Sequence, residues 1–138
     1  MSTQTLSNVD TEYYSLVYDE KMETTILSFK KNCGDERLLE ASRMITDFVA
    51  HYRNHKHITD TSLLGPISIE AQKELAEEIL PVMCALPSKR MVVGLVLGTD
   101  VFASYAAKNI SSSAHELHDT IFYNHIDKAR KAFAAEIE

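Results

Sequence analysis

The sequence predicts one α/β domain. Its sheet is mixed, mostly parallel and five-stranded, and four helices pack on it. The element order is strand, strand, helix, strand, helix, strand, helix, strand, helix. Three observations point there. The stretch Met91-Val92-Val93-Gly94-Leu95-Val96-Leu97 is a run of seven without a polar side chain, closed by the turn residues Gly98-Thr99-Asp100. It is too short to span a bilayer, and it reads as a strand buried on both faces in the middle of a helix-covered sheet. Beyond an N-terminal pair of strand-like segments, strand and helix patterns alternate, which is the signature of parallel crossovers. A chain of 138 residues with 45% hydrophobic content suits a single core.

The elements follow in order. Residues 1–10 are polar and read as a flexible tail, with the domain proper over residues 11–138. Tyr13 to Tyr18 and Thr24 to Phe29 are rich in aromatic and apolar residues, which is strand composition. The short polar connection Asp19-Glu20-Lys21-Met22 permits only an antiparallel hairpin. In the second strand Thr25, Leu27 and Phe29 share the more apolar face, so one side of the hairpin is expected to be better covered.

Gly34-Asp35 opens a helix whose stripe is Leu38, Ala41, Ile45, Phe48, Val49 and Tyr52, ending near Asn54. His57 to Thr61 is a short strand, and Ser62 to Ile67 is an apolar loop. Ser68 has the chemistry of an N-cap, with Glu70 in the first turn that follows. Ala71, Leu75, Ile79, Val82, Met83 and Leu86 form the second stripe. Pro81 within it removes a backbone bond to residue 77 and bends the helix. After the central strand, Thr99 or Asp100 caps a third helix carrying Val101, Phe102, Tyr105 and Ala106. Ser111 to Ser113 is a loop or a frayed end. Thr120 to Tyr123 is the last strand, and a final helix carries Ile126, Ala129, Ala132, Phe133 and Ile137.

Charge narrows the partners. The formal net charge is -6, with no basic five-residue run, so a phosphate backbone is a poor ligand and nucleic acid is not expected. The first eight residues have neither a basic start nor an apolar segment, and no other stretch is long enough for a bilayer. A cytoplasmic protein without membrane insertion is therefore expected. Cys33 and Cys84 are widely spaced and read as reduced thiols.

Certain residues look familiar. A strand ending in Thr59-Asp60 leads to Gly65-x-Ile67-Ser68-x-Glu70-x-Gln72, then Leu80-Pro81, then Lys89-Arg90 before an apolar strand. Asp100-Val101-Phe102-Ala103 opens one helix and Ile121-Phe122-Tyr123-Asn124 precedes another. With the element order, this resembles the STAS-like, or sporulation anti-sigma factor antagonist-like, group, related in fold to Sec14-type lipid-binding domains. The resemblance covers roughly Glu12 to Glu136. It implies a small cytoplasmic switch protein that binds a partner and is phosphorylated at the start of the helix after the strand matching His57–Thr61. Asp60 matches the strand end of the group's compact Asp-Ser-Ser-Gly-like motif. Here the loop is longer, and Thr61, Ser62 and Ser68 are the hydroxyls available for phosphorylation.

Chemical motifs are sparse. His51 and His55 are one helical turn apart, with His57 near, and His115 and His118 are three apart. They read as surface histidines without the third or fourth ligand a metal requires, so no metal or other cofactor is expected. Cys33, before a helix start, is the better redox candidate of the two thiols. Gly94-x-x-x-Gly98-Thr99 lacks the spacing of a phosphate loop. No acid/base pair or nucleophile with a base is visible, so no catalytic residue is assigned.

The starts of the helices at Ser68 and Thr99 fall at the carboxyl ends of parallel strands, where open sheets place ligands. Asp60, Thr61, Ser62, Ser68, Thr99 and Asp100 make up that edge, as a functional site or as ordinary caps and turns. Leu63 and Leu64 in the adjoining loop either tuck under the domain or form a sticky patch. The expected function is a non-enzymatic regulatory or interaction module with a protein partner or a homodimer. The alternative is a carrier or sensor of a small apolar, lipid-like ligand. A carrier should enclose a cavity of roughly several hundred Å³. An interaction module should have a filled core and an apolar patch near Leu63 to Ile67.

Overall fold

The structure is a computed structural model, and it describes residues 8–135. The strands are β1 (Val9–Asp10), β2 (Tyr14–Asp19), β3 (Thr24–Phe29), β4 (Lys56–Asp60), β5 (Met91–Val96) and β6 (His118–Tyr123). The helices are α1 (Gly34–Tyr52), α2 (Ile69–Glu74), α3 (Leu80–Cys84), α4 (Val101–Ser113) and α5 (Ile126–Ala135). A π turn, Leu75–Ile79, joins α2 to α3 without a break, so the two make one rod and the rods among the described residues number four.

The α/β class holds, and the sheet differs from the expected one in three ways. Among the described residues it has six strands, in the order β1-β2-β3-β4-β5-β6. The extra one is β1, which pairs Val9 with Leu16 inside the stretch expected to be tail. Residues 1–7 of that stretch lie outside the described residues, as does Ile137 of the last stripe. The sheet is mixed, with parallel pairings ahead by only three to two: β1–β2 and β2–β3 are antiparallel, and β3–β4, β4–β5 and β5–β6 are parallel. The apolar β5 is not central, because β6 alone follows it at the edge. It is buried because both faces of the sheet are covered there.

Strand order explains that coverage. Strands β3 to β6 are added one after another in one direction, and right-handed crossovers then place every connecting helix on the same face. Leu38, Ile45, Phe48 and Val49 of α1, Leu75 to Met83 of the middle rod, and Ala106 of α4 share one core with Leu16, Leu27, Phe29 and Val93 of the sheet. Helix α5 is no crossover and returns over the other face. There Ala129 and Phe133 pack with Ile26, Ile58, Val96 and Met22.

Local chemistry sets the helix ends. Helix α1 stops at Tyr52, and Arg53 turns left-handed (φ 58°) while its N–H bonds Val49 O. Before Pro81 the rod widens, and Leu80 N–H reaches back to Leu75 O across the π turn. Proline lacks an N–H and its ring collides with the carbonyl four residues back, so a wider turn relieves it. The extra residue also rotates the stripe. Val82, expected inside, is 55% exposed, while Leu80 is buried. Helix α4 runs through Ser111 to Ser113, where a loop or frayed end is expected, and β6 begins two residues early at His118. The side chains of Val101 and Phe102, assigned to the third stripe, lie outside what is described.

Candidate functional site

Three loops meet at the carboxyl ends of the parallel strands. The loop from β4 to α2 is fixed at both sides. Thr61 is buried, and its N–H and hydroxyl both donate to Val96 O, at 2.9 and 2.7 Å. Asp60 closes the strand end as an acceptor, taking the Ser62 N–H at 3.0 Å and the Ser62 hydroxyl at 2.6 Å. Ser62 in turn lies directly on Gly98 of the next loop, where an added Cβ would stand 2.5 Å from Ser62 O. Gly65 takes φ +86° against the Asn32 side chain of the loop after β3. Asp60, Thr61, Ser62, Gly98, Thr99 and Asp100 are thus brought to one edge, with Thr99 exposed and Asp100 half-buried.

Ser68 caps α2 as its composition predicts, accepting from Ala71 N–H at 3.1 Å. Its own hydroxyl and N–H donate to the two carboxylate oxygens of Asp35, at 2.5 and 3.0 Å. By sequence Asp35 is no more than an acidic residue at the opening of α1. The two apolar residues of the loop part ways: Leu64 is buried in the core and Leu63 is 57% exposed.

A second assembly lies inside, between the sheet and the crossover helices. Register places Thr25, His57, Val93 and Thr120 in one row across four strands, and Leu27, Thr59 and Leu95 in the next. His57, expected at the surface, is buried, and so is His118. Thr25 Oγ1 stands 2.7 Å from His57 Nδ1, and Thr59 Oγ1 stands 2.5 Å from Nε2. Asn54 Nδ2 also donates to Thr25 Oγ1, at 3.4 Å, so both ring nitrogens of His57 sit in one buried polar network. Burial pushes His57 down to about 3 and also lowers His118, so both rings are neutral at pH 7.

These rows enclose a cavity of about 80 Å³. Its walls include Leu27, Leu95, Leu75, Leu80, Met83 and Ala106, with Leu64 and Ile67 from the β4–α2 loop. The sequence signal for this interior is the two-residue spacing of His57, Thr59 and Thr61, which sends all three to one face.

Other candidates resolve simply. Burial raises the Cys33 thiol, opposite to what an activated thiol needs, and it pushes Cys84 up to about 11. His51 and His115 are exposed. Among the described residues no group of three or more His, Cys, Asp or Glu stands together to hold a metal, and no helix is long and apolar enough to cross a membrane.

Fold and site together define a class: a single α/β domain with a mixed sheet, a loop-built edge at the carboxyl ends of β4 and β5, and a small buried cavity behind it. No protein-family profile matches the chain, and no curated protein matches it.

Proposed function

We propose that this domain is a non-enzymatic interaction module that docks a protein, another chain or a second copy of itself, at the carboxyl edge of β4 and β5. The observation that carries this is Leu63. It is 57% exposed on a loop held at Thr61, Ser62, Leu64 and Gly65, so a large aliphatic side chain is offered to solvent on a preordered support. The resemblance to anti-sigma factor antagonists points to the same edge. A cavity of about 80 Å³ supports docking over carriage of a lipid-sized ligand.

The hydroxyls at the edge differ as switch points. Thr61 is buried, while Ser62 and Ser68 each donate to a carboxylate, Asp60 and Asp35. A phosphate on either serine would meet that carboxylate, so modification would release the loop by like-charge repulsion. Ser62 is the sharper switch, because it also bears on Gly98.

Native mass spectrometry of the protein, gently purified from its own cells, tests the reading. A retained partner or a dimer that is lost in Leu63→Asp, with the fold intact by circular dichroism, supports it. A complex undiminished by Leu63→Asp overturns the assignment of the edge.

A further inference from the structure

We propose that β6 is a dimerisation edge, where two copies of this chain pair β6 with β6 in antiparallel sense about a two-fold axis at Ile121. This goes beyond the docking reading and does not depend on it, since Leu63 lies on the β4–α2 loop and β6 is two strands away from β4.

The two margins of the sheet differ. Strand β1 is two residues long, and its Asp10 is held by Lys30, so that margin is short and charged. Strand β6 is six residues long and pairs with β5 residue for residue, without a bulge. It carries no proline, glycine, lysine or arginine, and its one carboxylate, Asp119, is tied back by Arg90 at 3.0 Å. Ile121 and Phe122 are 40% and 44% exposed, on opposite faces of the strand. Its own sequence therefore leaves this margin open to another strand.

The backbone sets the register. Leu97 N–H donates to Tyr123 O, so the odd-numbered residues of β6 turn their N–H and C=O groups to β5. Alternation sends those of Thr120 and Phe122 outward, where no strand among the described residues pairs with them. An antiparallel copy must then join even-numbered residues to even-numbered ones. Thr120 opposite His118 would set Asp119 directly against its own copy, which like charge disfavours. Thr120 opposite Thr120 would set Asp119 against Ile121. Phe122 opposite Phe122 would draw in residues 124 and 125, beyond the end of β6. Thr120 opposite Phe122 avoids all three. Ile121 meets Ile121 at the axis, Asp119 meets Tyr123, and residues 119–123 pair in full within the strand. The two Asp119 side chains then stand about 14 Å apart along the strands, beyond the screening length of about 8 Å. The occupant is thus a second copy: the strand complements itself, and a two-fold pair closes after two chains.

The test is sedimentation equilibrium of the full chain. The pairing is short, so the dimer should be half-formed only at about 10–100 µM. Ile121→Lys sets two ammonium groups face to face at the axis. It should leave a monomer with an unchanged circular dichroism spectrum, because Ile121 is exposed in the single chain. Val82→Lys on the middle rod and Leu63→Asp, both at exposed positions, should leave the dimer intact. Register is read by cross-linking in a Cys33→Ser, Cys84→Ser background. Opposed residues of a non-hydrogen-bonded antiparallel pair have Cα atoms about 4.5 Å apart, within disulfide reach. Ile121→Cys should therefore form a covalent dimer in oxidised glutathione, and Asp119→Cys should not. This milder variant keeps the test decisive if Ile121→Lys does not fold. A monomer up to about 1 mM, or a dimer unmoved by a folded Ile121→Lys, overturns the proposal. So does cross-linking at Asp119→Cys that matches Ile121→Cys. A dimer lost in Leu63→Asp overturns it too, and supports the docking edge instead.

Discussion

Ser68 stands on Asp35: its hydroxyl meets one carboxylate oxygen at 2.5 Å, and its N–H meets the other at 3.0 Å. The pair ties the start of α1 to the start of α2, two helix origins 33 residues apart in the chain. Hydrogen bonds to a charged group contribute about 1.5–3 kcal/mol where solvent is partly excluded. Both residues are half-buried, so the lower half of that range applies. Asp35→Ala should therefore lower the unfolding free energy by about 1.5–2 kcal/mol in urea titration. Ser68→Ala loses the cap of α2 as well as this contact and should cost a similar amount. The double variant should be less destabilised than the sum of the two, because each single change already breaks the shared bonds. Additive losses would mean that the contact contributes nothing in solution.

Gly98 and Ser62 are the tightest meeting of two loops at the edge. A Cβ at Gly98 would lie 2.5 Å from Ser62 O and 2.9 Å from Ser62 Cα, both backbone atoms that cannot swing aside. Gly98→Ala should push the β4–α2 loop outward, cost about 1–3 kcal/mol, and shift the amide resonances of Ser62 and Leu63. Leu63→Ala, in contrast, should leave stability within about 0.5 kcal/mol, because the side chain is exposed. A Gly98→Ala protein with unmoved loop resonances would show that the two loops do not bear on each other.

Leu80 and Val82 test the phase of the middle rod. A regular helix would bury Val82, but the π turn rotates the stripe so that Leu80 faces the core and Val82 faces solvent. Leu80→Ala should cost about 2–4 kcal/mol by cavity formation, and Val82→Ser should change stability by less than about 0.5 kcal/mol. Reversed magnitudes in thermal or urea unfolding would restore the unrotated helix.

Which features of the fold are legible in the sequence depends on how local each signal is. Periodicity locates all four helical rods and the five longer strands, because a repeat of 3.6 or 2 is written within each segment. Ser68 as a cap is legible for the same reason. Strand β1 is not, since two residues carry no period and Val9–Asp10 is defined by its partner Leu16. The apolar run of β5 suggests a central strand, yet such a run reports only coverage on two faces, and α5 supplies the second cover near the edge. Pro81 announces an irregular helix but not which register follows it. His57 looks like a surface residue because its partner Thr25 stands on the neighbouring β3, a contact that depends on register, and the partners Thr59 of His57 and Thr120 of His118, two residues along the same strand, do not by themselves announce burial. Strand direction brings Asp60, Thr61, Ser62, Thr99 and Asp100 to one edge. Asp35, Gly98 and Asn32 join it only through tertiary packing.

The buried histidines give the domain an acid-sensitive core. His57 titrates near 3 when folded, against about 6.5 when exposed by unfolding, and burial is the leading cause. His118 is shifted the same way, also by burial. In the window between those two values the unfolded chain binds protons that the folded chain refuses, so stability falls as pH falls. It is fully present above about pH 6.5 and lost progressively below, at up to about 1.4 kcal/mol per pH unit for each histidine that stays neutral in the fold. Urea midpoints measured from about pH 8 to about pH 4.5 should be level down to about pH 7 and then decline. His118→Phe should reduce the steepness of that decline even if it changes the midpoint at about pH 8, because slope counts protons and midpoint counts contacts. A profile that stays level from about pH 7 to about pH 5 would mean that both imidazoles protonate freely in the folded state. It would place them in contact with water, not in the threonine row between β3 and β6.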